Sequence, residues 1–182
     1  MRRELADSEY NVRREQCEKG VNILSEKDNS VESLRDVSLE LLAEHKKAMD
    51  PVIYKRCKYV IEENQRVENA CMDLQKGDIQ SFGQRMYESH RGLSEKYEVS
   101  CSELDVLVEE ASRIEGVLGS RMMGGGFGGC TINLVYKDYI PAFSNQIKTK
   151  YQKRLKKSIK TYKTRIANGA TFQQVDSQLI KD

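Results

Sequence analysis

The sequence predicts an α+β domain, with a helical region packed on a small antiparallel sheet. Three observations carry this. Residues 11–115 form a succession of segments whose apolar residues recur with a 3.6-residue period, punctuated by caps and a terminating glycine. At Gly116 the texture changes, and "GVLGSRMM" and "CTINLVYK" read as short strands on either side of a glycine cluster. A helical run and one more short apolar-polar segment follow. Helices and then strand–loop–strand–helix–strand is the order of an antiparallel sheet with its helices on one face.

Asn11 is read as the cap of a first helix through "VRREQCEKGVNIL", with Cys17, Val21 and Leu24 on one face. A second helix follows Ser38. Asp50 is a strong N-cap, Pro51 stands at the first helical position, and Gly77 closes the far end of the longest helix. Its inward stripe is Cys57, Val60, Ile61, Val67, Cys71 and Leu74. Asp78 caps the next helix, which turns Ile79, Phe82, Met86 and Leu93 inward. In "SCSELDVLVEEASRIEG", Ser100 and Glu103 have the spacing of a capping box, and Leu104, Leu107, Val108, Ala111 and Ile114 form the apolar face. After the two strands, a helix runs from Pro141 to about Lys156, and "SIKTYKTRIA" is read as a last strand.

The bulk properties exclude several classes. A chain of 182 residues suits one domain over 1–182 and buries roughly 70% of its unfolded surface, so no metal or disulfide staple is required. The net charge of +2 and pI near 8.2 argue against a nucleic-acid partner. Five widely spaced cysteines without a C-x-x-C pair predict free thiols and no metal site. No apolar run approaches the ~20 residues of a membrane span and the N-terminus lacks a signal-peptide core, so a cytoplasmic chain without a membrane partner is expected.

The stretch "SRMMGGGFGGCTINLV" places five glycines in the six positions 124–129. Glycine is the residue most costly to order, so such a cluster points to a use: positive φ angles, or close approach of backbone to a ligand such as phosphate. Gly124, Gly126 and Gly129 satisfy G-x-G-x-x-G, but Thr131, Ile132 and Asn133 open a strand where the dinucleotide fingerprint needs a helix. Gly124 and Gly129 also have the Walker A separation, yet Cys130 stands in place of the lysine. A wide hairpin turn between the strands stays open on the residues alone.

The same stretch resembles the third motif of the GHMP small-molecule kinases, in its galactokinase form. "LADSEYNVRREQCE" resembles the galactokinase segment after the catalytic aspartate, and "ESHRGLSEKYEVSCSELDVLVE" the helical stretch before motif three. The resemblance runs in order from about Arg2 to about Ala170. It implies the C-terminal domain of that family, ferredoxin-like in type, with residues near the N-terminus as a remnant of the interdomain linker. It implies transfer of a phosphoryl group from Mg-ATP to the anomeric hydroxyl of galactose, in a cleft completed by an N-terminal domain. The sugar motif, the serine-rich phosphate loop and the catalytic aspartate belong to that other domain. "GLSE" at 92–95 and "AEHKKAMD" at 43–50 resemble fragments of those motifs but diverge and stand elsewhere in the order. The resemblance therefore gives no catalytic residue and no metal ligand to this chain, and implies negligible turnover by the chain alone. It gives Tyr10 the role of bonding a galactose hydroxyl. Gly124, Gly125, Gly126, Phe127, Gly128 and Gly129 become a loop beside sugar and triphosphate, and Arg2 lies near the nucleotide. Met123 departs from the threonine usual in the family. A non-catalytic sugar-sensing or partner-binding relative is the alternative.

Other features have plain readings. His45 and His90 are expected to be structural or on the surface. The nine basic residues of 148–165 are expected to be a solvated face rather than a nucleic-acid surface. Glu62 with Glu63, and Glu109 with Glu110, are adjacent on helices and point about 100° apart, so neither pair is expected to converge.

Overall fold

A computed structural model describes residues 3–165 and residue 169, with side chains from residue 9 onward. Six helices and two strands are formed: α1 (Arg3–Ser25), α2 (Leu39–Glu44), α3 (Pro51–Gln75), α4 (Ile79–Arg91), α5 (Ser102–Ala111), β1 (Val117–Met123), β2 (Cys130–Val135) and α6 (Ile140–Leu155). The strands pair antiparallel in a two-stranded sheet, with Ser120 opposite Asn133 and Met123 opposite Cys130. The fold is α+β, a helical bundle on a small open antiparallel sheet.

The strongest punctuation in the sequence is realised. Ser38 accepts from the Leu41 amide, and Asp50 accepts from Val52 with Pro51 in the first turn. At the other end of α3, Gly77 at φ 70° lets the Asp78 amide reach the Asp73 carbonyl at 2.8 Å and its own amide reach Leu74 at 3.1 Å. These two bonds are a complete Schellman cap, which consumes carbonyls that would otherwise be orphaned. Asp78 then caps α4 through Ser81.

The core has three centres. Leu24, Val31, Leu34, Val37, Leu42, Met49, Cys57 and Ile61 join α1, α2 and α3. Tyr59, Leu93, Val99, Leu104 and Met122 bring α3, α5 and β1 together. Ala111, Ile114, Phe143 and Ile147 seat α6 on α5. Between α4 and β1 the packing is backbone on backbone: a Cβ at Gly83 would meet the Leu118 carbonyl oxygen at 2.2 Å, and one at Gly119 would meet the Gly83 oxygen at 2.5 Å. Two glycines in register thus let helix and strand approach more closely than side chains allow.

Several expectations need correction. Helix α1 begins at Arg3, so Asn11 caps nothing; i,i+4 pairs Glu9–Arg13 and Arg14–Glu18 carry the helix across it. The stripe of α3 is buried only in its first half, and Val67, Cys71 and Leu74 are exposed, because α1 and α2 cover only the N-terminal turns. Ile79 is exposed as well. The capping box at α5 does not form: the N-cap is Cys101, and Ser100 donates to Asp105 instead. No strand forms over residues 159–165, while Ile166 and Ala167 lie outside the described residues. There the chain follows the flank of α6, with Ile159 packed on the α5–α6 core and Ser144 bonded to Thr161.

Candidate functional site

The glycine loop has a seat, and the seat is built first. After α4 the chain makes a single π turn over Gly92–Lys96, and the Val99 amide returns to the Leu93 carbonyl at 3.0 Å. Glu98 sits at φ 55°, which costs a non-glycine residue on the order of 1 kcal/mol. Two buried arginines offset that strain. Arg13 of α1 donates to the carbonyls of Tyr97 (2.8 Å) and Glu98 (3.0 Å), and Arg56 of α3 donates to the carbonyl of Lys96 and to the Glu98 carboxylate (2.5 Å). Charge-assisted bonds of this kind are roughly twice as strong as neutral ones. Lys55 adds a second cation to Glu98, and Arg56 and Lys55 together hold its carboxyl down to about 2.

On this seat rests the loop between β1 and β2. The Phe127 amide donates to the Val99 carbonyl at 2.7 Å, and the Phe127 ring packs beside Val99 and Met122. Gly126 lies against the same carbonyl at φ 92°, where a Cβ would stand 2.1 Å from the oxygen. Gly124, Phe127, Gly128 and Gly129 also have positive φ, and a Cβ at Gly124, Gly125 or Gly128 would meet nothing within 4 Å. Beyond the β1–β2 ladder, the Phe127 bond is the only backbone hydrogen bond of residues 124–129 among the described residues. The loop is therefore tied at one point, with positive φ at five of its six residues and open space beside Gly124, Gly125 and Gly128. Turns that gather successive backbone amides form concavities that receive anions.

Of the other residues singled out from sequence, Tyr10 lies on α1 and is half exposed, one helical turn before Arg13. Arg13, on the same helix, bonds the 97–98 carbonyls next to Val99. Arg2 lies outside the described residues. Met123 ends β1 half exposed. Among the described residues no group of three His, Cys, Asp or Glu side chains is placed to hold a metal ion, and no helix is long and apolar enough to cross a membrane.

The histidines are structural, as expected. His45 bonds the Leu41 carbonyl at the end of α2. His90, however, is buried against the strand that enters the loop. The first carboxylate pair diverges: Glu62 pairs with Lys58 and Lys96, while Glu63 faces Arg66, Ser89 and Arg121. The second pair is no acid–base couple either, but shares one cation: Glu109 and Glu110 both accept from Arg154 Nη1, at 2.6 and 2.9 Å. Lys150 and Lys157 pair with Glu110 and Glu103, so part of the basic segment is neutralised within the fold. Arg13, Arg56 and Val99 were not singled out from sequence. Their signal lay in long-range pairing, which periodicity does not report.

Comparison with known proteins agrees with this fold. Residues 72–153 match the family model described as GHMP kinases C terminal, which defines the class of fold. Over 170 residues the chain is 42% identical to a galactokinase of Enterococcus faecalis, an alignment covering 93% of this chain and 44% of that protein. Over 151 residues it is 44% identical to a human galactokinase, covering 83% of this chain and 37% of the relative. The crystal structure of Lactococcus lactis galactokinase complexed with galactose superposes with a TM-score of 0.79 at 32% identity, over 83% of this chain and 39% of that one. The chain belongs to the galactokinase family, as its C-terminal region, and spans less than half the length of these relatives.

Proposed function

We propose that this chain is the C-terminal part of a galactokinase, an enzyme that phosphorylates galactose at its anomeric hydroxyl with Mg-ATP in the cytoplasm. Residues 1–182 form a single domain in this reading. The observation that carries it is the loop at 124–129, seated by one bond on Val99 and open above, in a chain whose fold is similar to that of a galactokinase complexed with galactose. Phosphoryl transfer depends on positioning and on stabilising charge, and in this reading the backbone amides of the loop provide both without a side chain in the path. When bound, Mg-ATP supplies the phosphoryl group, and this chain offers it the loop amides. Tyr10 bonds the sugar: a phenol is donor, acceptor and apolar surface at once.

The test is ADP release from Mg-ATP with and without galactose. The chain alone is expected to give no sugar-dependent ADP. The chain joined to the N-terminal portion of a galactokinase relative is expected to restore it, and to lose it again when the loop is replaced by a short hairpin turn. Sugar-dependent turnover by the chain alone would mean the catalytic groups lie within it. Full activity with the loop replaced would remove the loop from the reaction.

A further inference from the structure

Four elements meet below the loop at two side chains that do not touch it. His90 lies in the last turn of α4 and Asp105 in the first turn of α5. The Met122 amide, next to the last residue of β1, donates to His90 Nδ1 at 3.2 Å. With Nδ1 as acceptor, the ring proton sits on Nε2, which faces Asp105 Oδ1 at 3.2 Å. Asp105 also accepts from Ser100 Oγ at 2.6 Å and from Ser94 Oγ at 3.2 Å. Ser100 directly follows Val99, whose carbonyl holds Phe127. One connected network thus reaches both the strand that leads into the loop and the segment on which the loop rests.

We propose that His90 and Asp105 are a positioning pair for the glycine loop, His90 fixing the strand that enters it and Asp105 fixing its seat. The pair acts through others: its partners are Met122, Ser94 and Ser100, and none of its hydrogen bonds among the described residues goes to residues 124–129. Burial keeps the His90 ring neutral and pushes its pKa below the ordinary value, against the pull of Asp105 and with Arg121 nearby. Neutrality is what the arrangement needs: an imidazolium has no acceptor, and the Met122 amide would then face a second N–H. The bearing of this on phosphoryl transfer rests on the function proposed above, but the geometry of the latch does not.

The experiment is amide hydrogen exchange by NMR on the whole chain and three variants, with Ile61 of α3 as an internal reference. In His90→Phe, Met122 and Phe127 are expected to exchange about tenfold faster, the factor for one lost buried hydrogen bond, with Ile61 unchanged. His90→Asn places an amide oxygen near Nδ1 and is expected to restore protection at Met122. A merely space-filling histidine would show no such rescue. Asp105→Ala removes a half-exposed carboxylate, leaves the apolar core intact, and is expected to release Phe127 about tenfold. Unchanged protection of Phe127 in Asp105→Ala would overturn the proposal, even if His90→Phe failed to fold. A failed sugar-kinase assay would leave these exchange rates untouched, so the two readings fall separately.

Discussion

Replacing Gly126 with alanine tests the seat most directly. The new methyl would stand 2.1 Å from the Val99 oxygen and 2.9 Å from both the Val99 carbonyl carbon and Cβ. These are mostly backbone atoms, held by Arg13 and Arg56 on the neighbouring residues, so no rotamer change relieves the clash. The residue also sits at φ 92°, where an L side chain costs about 1–2 kcal/mol. Lifting the loop off Val99 breaks the Phe127 bond, a further net loss of about 1 kcal/mol. Together these amount to about 2–3 kcal/mol against the seated loop, on the order of a hundredfold in its closing equilibrium. Gly125→Ala is the control, because nothing lies within 4 Å of its added methyl and its φ is not positive. Exchange of the Phe127 amide reads the difference: greatly accelerated in Gly126→Ala, close to the parent in Gly125→Ala. Equal rates in the two variants would refute the account of the seat.

Glu98, held down to about 2 by Arg56 and Lys55, favours the folded chain above the ordinary carboxylate range, and that contribution disappears as pH falls through the depressed value. Urea midpoints measured from pH 5 down to pH 2 should therefore fall less steeply in Glu98→Gln than in the parent. His90, with its pKa lowered by burial, likewise supports the fold above the unfolded histidine range and less so as pH falls below it, since the unfolded chain takes up the proton first. Its ring should titrate below 6.5 by NMR; a midpoint above that value would contradict the buried acceptor geometry. Gly83→Val should destabilise the chain by about 2 kcal/mol or more in urea unfolding, because its Cβ meets the Leu118 carbonyl oxygen at 2.2 Å. Arg154→Ala, which strips a shared guanidinium from Glu109 and Glu110, should lower the urea midpoint slightly, more through the poorly exposed Glu110 than through Glu109.

Local signals were legible and long-range ones were not. Ser38, Asp50, Pro51, Gly77 and Asp78 mark helix ends because capping uses residues within one turn of each other, and all of them sit where that chemistry puts them. The strands beside the glycines were equally plain. Asn11 and the Ser100–Glu103 pair have the same spacing signature without the outcome, since ion pairs along α1 carry the helix past the first and Asp105 competes for the second. The α3 stripe was misread toward its end because periodicity reports amphipathicity, not which neighbour covers it. In the site, the glycines announced themselves by composition. Their partners did not, because Arg13, Arg56 and His90 act on residues 84, 40 and 32 positions away.

That separation explains why so many glycines are needed. A free hairpin could turn with one or two positive-φ residues. This loop must reach Val99, hold Phe127 against it and still keep 124, 125 and 128 clear of side chains. The seat is itself strained at Glu98 and would relax if its carbonyls were not taken by guanidiniums from two other helices. Conformation at the loop is thus imposed from below by α1, α3, α4 and α5, and the glycines supply the freedom to accept it. A loop selected only to connect two strands would not need buried charge beneath it. One whose backbone must keep a fixed arrangement does, because glycines left to find their own shape have more conformations open to them than any other residue.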